Sequence, residues 1–161
     1  MLKYRIFFLI IIFIGCNKQM DKTAPLIPME DFFRNPEKSS FNISPNGDHI
    51  AYMKPWKNRM NVFVLDMNAN NETRLTSSKD RGIYGFAWLT NERIGYIKDD
   101  GGDEDMHFFA VNIDGSNELD LTPFENVQAR IIDDLKDDPN HIIVGLNKRN
   151  PQVHDPYRLN V

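Results

Sequence analysis

Ser44-Pro45-Asn46-Gly47-Asp48-His49-Ile50-Ala51-Tyr52 is echoed downstream by Trp88-Leu89-Thr90-Asn91-Glu92-Arg93-Ile94-Gly95-Tyr96. Each stretch is followed by a polar gap and a second apolar segment, Asn61-Val62-Phe63-Val64-Leu65-Asp66 and His107-Phe108-Phe109-Ala110-Val111-Asn112. Each unit then closes on a short segment ending in threonine, Arg74-Leu75-Thr76 and Asp120-Leu121-Thr122. Ile50 and Ile94 are 44 residues apart, and Thr76 and Thr122 are 46 apart. A period of that length made only of strands is the signature of β-propeller blades. A third unit starts and stops before its last strand, so the chain reads as part of a larger protein.

The alternation and the β-branched and aromatic content predict strands rather than helices. The expected fold is all-β: a partial propeller of about three four-stranded antiparallel blades over residues 39–78, 81–123 and 127–161, the third incomplete. Blade one offers Phe41 and Ile43, then Ile50 to Met53, Val62 to Leu65 and Thr73 to Thr76. Blade two offers Tyr84 to Trp88, Ile94 to Ile97, Phe108 to Val111 and Leu119 to Thr122. Blade three offers Ala129 to Ile132, His141 to Leu146 and Tyr157 to Val161. Asn46-Gly47-Asp48 and Asp114-Gly115-Ser116 are expected turns, because Asn and Gly accept positive φ. An incomplete ring leaves a blade face uncovered and a strand edge unpaired at Val161, which predicts instability or association of this chain alone.

Net charge is −4 over 161 residues, and loss of Lys3 and Arg5 with the first 15 residues makes it −6. No Lys/Arg patch interleaves with aromatics, so nucleic acid is not an expected partner. One cysteine excludes an internal disulfide framework. Lys3 and Arg5 precede nine consecutive apolar residues, Ile6 to Ile14, and then Gly15 and Cys16. That layout predicts a signal peptide over residues 1–15, since a membrane span needs roughly 20 apolar residues. Gly15-Cys16 resembles a bacterial lipobox and implies lipidation at Cys16, with several acyl chains holding the protein at the membrane. Residues 16–38 read as a polar tether with Pro25 and Pro28, followed by a lead-in expected to pack on the first blade.

Three stretches carry a resemblance to the N-terminal propeller of the prolyl oligopeptidase family of serine peptidases, in its acylaminoacyl-peptidase and dipeptidyl-peptidase-like branch. They are Ile27-Pro28-Met29-Glu30-Asp31-Phe32-Phe33-Arg34-Asn35-Pro36, Phe41 to Tyr52, and Ile97-Lys98-Asp99-Asp100-Gly101-Gly102-Asp103-Glu104-Asp105-Met106-His107. The last resembles the family's D-x-G-G-D-E loop. The resemblance implies a propeller that covers a C-terminal α/β-hydrolase domain and limits access to short peptides. The family's nucleophile sits on a Gly-x-Ser-x-Gly elbow. This chain has none: Gly115-Ser116 lacks the following glycine. No catalytic residue, cofactor-binding residue or metal ligand is therefore assigned.

Asp99, Asp100, Asp103, Glu104 and Asp105 form the densest acidic cluster. It reads as a solvated turn; Ca²⁺ binding or recognition of a substrate amino group is the functional alternative. His49, His107, His141 and His154 are scattered, with no metal-ligand spacing. Tyr52, Trp88 and Tyr96 occupy matching blade positions and read as core fillers. The expected function is that of a non-catalytic propeller part of a lipid-anchored serine peptidase in the bacterial cell envelope, on its periplasmic or surface side. Its partners would be peptide substrates, the membrane, further blades and a hydrolase domain. The alternative is a TolB-like propeller that binds an envelope protein without catalysis.

Overall fold

The computed structural model describes residues 24–161 except Asp100, Asp103 and Lys136. The signal segment and Cys16 lie outside the described residues. The chain divides into two units, Met1–Arg34 and Asn35–Val161. In the first, Met29–Phe33 form a single helical turn, α1, with no buried residue. Glu30 and Asp31 lie in that turn, where acidic side chains complement the helix dipole. Arg34 is already extended, and its guanidinium pairs with Asp31 at 2.5 Å.

In the second unit, eleven strands are seen among the described residues. They are β1 (Ser39–Ile43), β2 (His49–Trp56), β3 (Arg59–Asp66), β4 (Asn71–Arg74), β5 (Gly85–Trp88), β6 (Arg93–Asp99), β7 (Met106–Asn112), β8 (Leu119–Asp120), β9 (Ala129–Asp133), β10 (His141–Asn150) and β11 (Val153–Asn160). They make three antiparallel sheets, ordered β1-β2-β3-β4, β5-β6-β7-β8 and β9-β10-β11. This is the expected partial propeller, with two four-stranded blades and one three-stranded blade. Among the described residues no sheet closes on itself.

Both expected turns form. Gly47 has φ +81 and donates to Ser44 O, while the Ser44 hydroxyl accepts from His49 N. Gly115 has φ +82 and donates to Asn112 O. A third tight turn is built by Lys57 and Asn58, both at positive φ (49° and 63°), between the paired Trp56 and Arg59. The terminal threonines act after the strands end. Val62 N donates to Thr76 Oγ1 at 2.9 Å, and Phe108 N donates to Thr122 Oγ1 at 2.9 Å. A side-chain oxygen thus takes the place of a backbone acceptor, which is why β4 and β8 stop before the Leu-Thr pair.

Sheets pack face to face in sequence order. Ala51, Met53, Val62 and Val64 of the first sheet meet Ile94, Tyr96 and Val111 of the second. Phe108 of the second sheet meets Val127, Ala129, Ile142, Val144 and Leu146 around the third. The ring of Phe108 fits because Gly95 has no side chain: a Cβ there would lie 2.5 Å from Phe108 Cζ.

Successive antiparallel strands define two ends of the stack. The starts of β1, β5 and β9 share the connector end with the turns β2–β3, β6–β7 and β10–β11. The turns β1–β2, β3–β4, β5–β6, β7–β8 and β9–β10 share the opposite, groove end.

Candidate functional site

Two places in the second unit gather polar groups from more than one blade or connector. The first is the acidic loop between β6 and β7, at the connector end. Asp99 is not the solvated residue that an acidic run suggests; it is 3% exposed. It is the last residue of β6, and its inward face is fixed by strand alternation. Its carboxylate accepts no hydrogen bond among the described residues, and its counter-charge is Arg81 Nε at 3.5 Å. Gly101 and Gly102 turn the chain at φ +62 and +90. A Cβ at Gly102 would fall 2.0 Å from Arg81 Nη2, so the guanidinium lies directly on the glycine backbone. On the other side, Gln128 Nε2 donates to Glu104 O at 3.2 Å. Residues from both blade connectors therefore hold this loop. Neither Arg81 nor Gln128 follows from the sequence reading; the paired glycines were the one signal that another group approaches closely.

The second place is a groove of about 500 Å³ at the groove end. Asn42, Ile43, Trp88, Thr90, Asp134 and Leu135 are among its lining residues, so all three blades contribute. Trp88 Nε1 donates to Asn42 O at 3.2 Å, and Asn91 Oδ1 accepts from Asn46 N at 2.9 Å. These bonds tie the first blade to the second. Trp88 is half-buried, packing against the core on one side and lining the groove on the other, and Tyr52 and Tyr96 are the expected core residues, at 1% and 0% exposure.

The aromatic positions recur with their partners. Tyr96 stacks on Phe109 with ring centroids 5.2 Å apart and donates its hydroxyl to Glu118. Tyr52 stacks on Phe63 at 6.3 Å and donates to Glu72. Burial and the neighbouring carboxylate push both phenols above their ordinary range. Glu72 also accepts from Lys54 Nζ at 2.6 Å, and this contact holds its carboxyl below the ordinary range.

The histidines do not converge. His107 Nδ1 lies 2.6 Å from Asp120 Oδ2, and His141 Nδ1 lies 2.9 Å from Asp138 Oδ2. Arg130 Nη2 donates to His154 Nδ1 at 2.8 Å. His49 sits beside Trp88, with centroids 6.3 Å apart. No group of three or more His, Cys, Asp or Glu side chains suited to a metal ion occurs among the described residues.

No protein-family model matches the chain. Dipeptidyl aminopeptidase BIII of Pseudoxanthomonas mexicana is 32% identical over 138 residues, which cover 84% of this chain and 20% of that protein. The chain spans about a fifth of the length of the curated relatives it matches. Among solved structures, the β-propeller domain of the trilobed protease from Pyrococcus furiosus is 18% identical with a TM-score of 0.55, covering 78% of this chain and 41% of that one. TolB from Acinetobacter baumannii is 15% identical with a TM-score of 0.53, covering 76% of this chain and 29% of that one. These two share the fold. The strand repeat, the three-bladed architecture and the peptidase relative converge: the chain is a β-propeller portion of the prolyl oligopeptidase family.

Proposed function

We propose that the chain is the N-terminal, non-catalytic propeller part of a lipid-anchored serine peptidase, where it gates and helps bind peptide substrates. The similarity to a dipeptidyl aminopeptidase over 84% of the chain carries this reading. A hydrolase domain beyond the propeller supplies the serine, which is acylated by the peptide and then released by water. The propeller supplies no reacting group; it restricts what reaches that serine. Cys16 carries the acyl chains that hold the protein at the cell envelope, on the periplasmic or surface side.

The test is the full-length gene product. It should cleave dipeptidyl or acyl-aminoacyl chromogenic substrates, and a serine-reactive fluorophosphonate should label it and abolish the cleavage. Absence of labelling would leave a TolB-like binding module instead. Cys16→Ala should move the product from the membrane fraction to the soluble fraction and remove incorporated labelled fatty acid. Unchanged fractionation and labelling would remove the anchor from the proposal.

A further inference from the structure

We infer that the open face of the third sheet is a charged seam, covered by a following sheet that brings a carboxylate to Arg130. The inference rests on the propeller architecture and is independent of catalysis. The ladders align the three blades residue by residue. Ile50-Ala51-Tyr52, Ile94-Gly95-Tyr96 and Val144-Gly145-Leu146 lie on the second strand of each sheet. Ala51 pairs with Asn42 and Val64, Gly95 with Ala87 and Ala110, and Gly145 with Arg130 and Pro156. Cross-strand partners share a face, and so do residues two apart on one strand. Val62, Phe108 and His154, each two residues before Val64, Ala110 and Pro156, therefore hold equivalent positions. Val62 and Phe108 pack against the next blade and have 0% exposure. The third sheet puts His154 and Arg130 where its predecessors put apolar plugs.

A Cβ on Gly145 would meet Arg130 Cγ, His154 Cβ and Ile132 Cδ1, each at 3.2 Å, so these three side chains converge over the bare backbone. Ile132 is an exposed apolar residue that a covering sheet would bury. A sheet stacked as the second is on the first would also take Arg130 out of water. A guanidinium keeps its charge, and a buried charge without a counter-charge is strongly destabilising. The neighbour of Arg130, His154 with Nδ1 2.8 Å from Nη2, offers a lone pair but no negative charge. The carboxylates of this sheet are engaged elsewhere. Asp155 pairs with Arg149, Asp138 with Arg158 and His141, and Asp133 accepts from Leu135 N. Among the described residues no carboxylate pairs with Arg130, so the covering sheet has to supply one.

The test uses the full-length product with Arg130→Lys, which keeps the charge and introduces an amine. A water-soluble carbodiimide joins an amine to a carboxylate in direct contact, and mass spectrometry of the digest locates the new amide. Arg149→Lys is the positive control, because Arg149 lies 2.8 Å from Asp155. The expected result is an intramolecular amide from position 130 to an aspartate or glutamate on the C-terminal side of Val161. An amide to a second copy, an amide to an acid within residues 24–161, or none at position 130 while the control reacts would overturn the inference. Phenylglyoxal on the unsubstituted product gives an independent reading should either variant fail to fold. Arg130 should resist modification in the native protein and lose that protection after urea unfolding. Equal modification in the two states would overturn the inference. Neither result bears on fluorophosphonate labelling, so the peptidase reading stands or falls separately.

Discussion

Tyr96 donates its phenolic hydrogen to Glu118. The same bond joins Tyr52 to Glu72 one blade earlier. Together with the stacked Phe109 and Phe63, and with Lys98 and Lys54 over those rings, it forms a unit that recurs from one blade to the next. In the second blade this unit faces the first blade's apolar surface.

Tyr96→Phe keeps the ring and removes one hydrogen bond, so it should lower unfolding free energy by about 1 kcal/mol. Tyr52→Phe removes two bonds, one to Glu72 and one from Lys38, yet should cost less, because Glu72 retains Lys54 as a partner and the Lys38 amine is exposed to water. Urea unfolding of the full-length product compares the two. An equal or reversed order would contradict this account of the network.

Gly95→Ala should be more damaging than its small volume suggests. The added methyl would meet Phe108 Cζ at 2.5 Å and Leu89 Cδ2 at 3.1 Å, and Phe108 is fully buried. Overpacking of this kind costs about 1–3 kcal/mol. Gly145→Ala, whose nearest contacts would all be at 3.2 Å, should cost visibly less in the same unfolding measurement.

Arg81→Ala removes the counter-charge of a buried carboxylate and should cost about 1–3 kcal/mol, the penalty for stranding a buried polar partner. Asp99→Asn in the same chain should recover part of the loss, because the uncompensated charge is gone. Hydrogen exchange across residues 99–105 reports it locally: protection should fall in the single variant and return in the double. Additive losses would show that the two residues are not coupled.

Glu72 gives the acid limb of stability a definite sign. Its folded carboxyl titrates below the unfolded value near 4.5, chiefly through Lys54 and then Tyr52. Its contribution is complete above that unfolded value and disappears as pH falls through the lowered folded one. Glu72→Gln should therefore flatten the stability profile below about pH 4.5, the unfolded carboxyl value. The effect should shrink in high salt, since the Glu72 side chain is 30% exposed. A slope identical to that of the unsubstituted protein would rule Glu72 out as a contributor.

The sheets were legible because Ile50 and Ile94, Phe63 and Phe109, and Thr76 and Thr122 recur at blade spacing with alternating neighbours. Strand ends were less so. Thr76 and Thr122 read as strand residues but serve as side-chain acceptors just beyond β4 and β8. The last strand was expected from Tyr157, yet β11 begins at Val153 and contains Pro156. Proline lacks a ladder donor and reads as a break, although a strand with a neighbour on one side only tolerates it. Lys57 and Asn58 form a turn at positive φ without glycine, so the usual marker was missing. The burial of Asp99 depends on Arg81, which is 18 residues earlier, and no local pattern reports a contact of that range.

The missing methyl at Gly95 has a geometric reach beyond its own contacts. Because the Phe108 ring rests on the bare backbone of its own sheet, it still reaches the apolar cluster formed by Val127, Ala129, Ile142, Val144 and Leu146. A bulkier residue would act like a shim in a hinge. It would drive that ring off its own sheet and toward the neighbouring one.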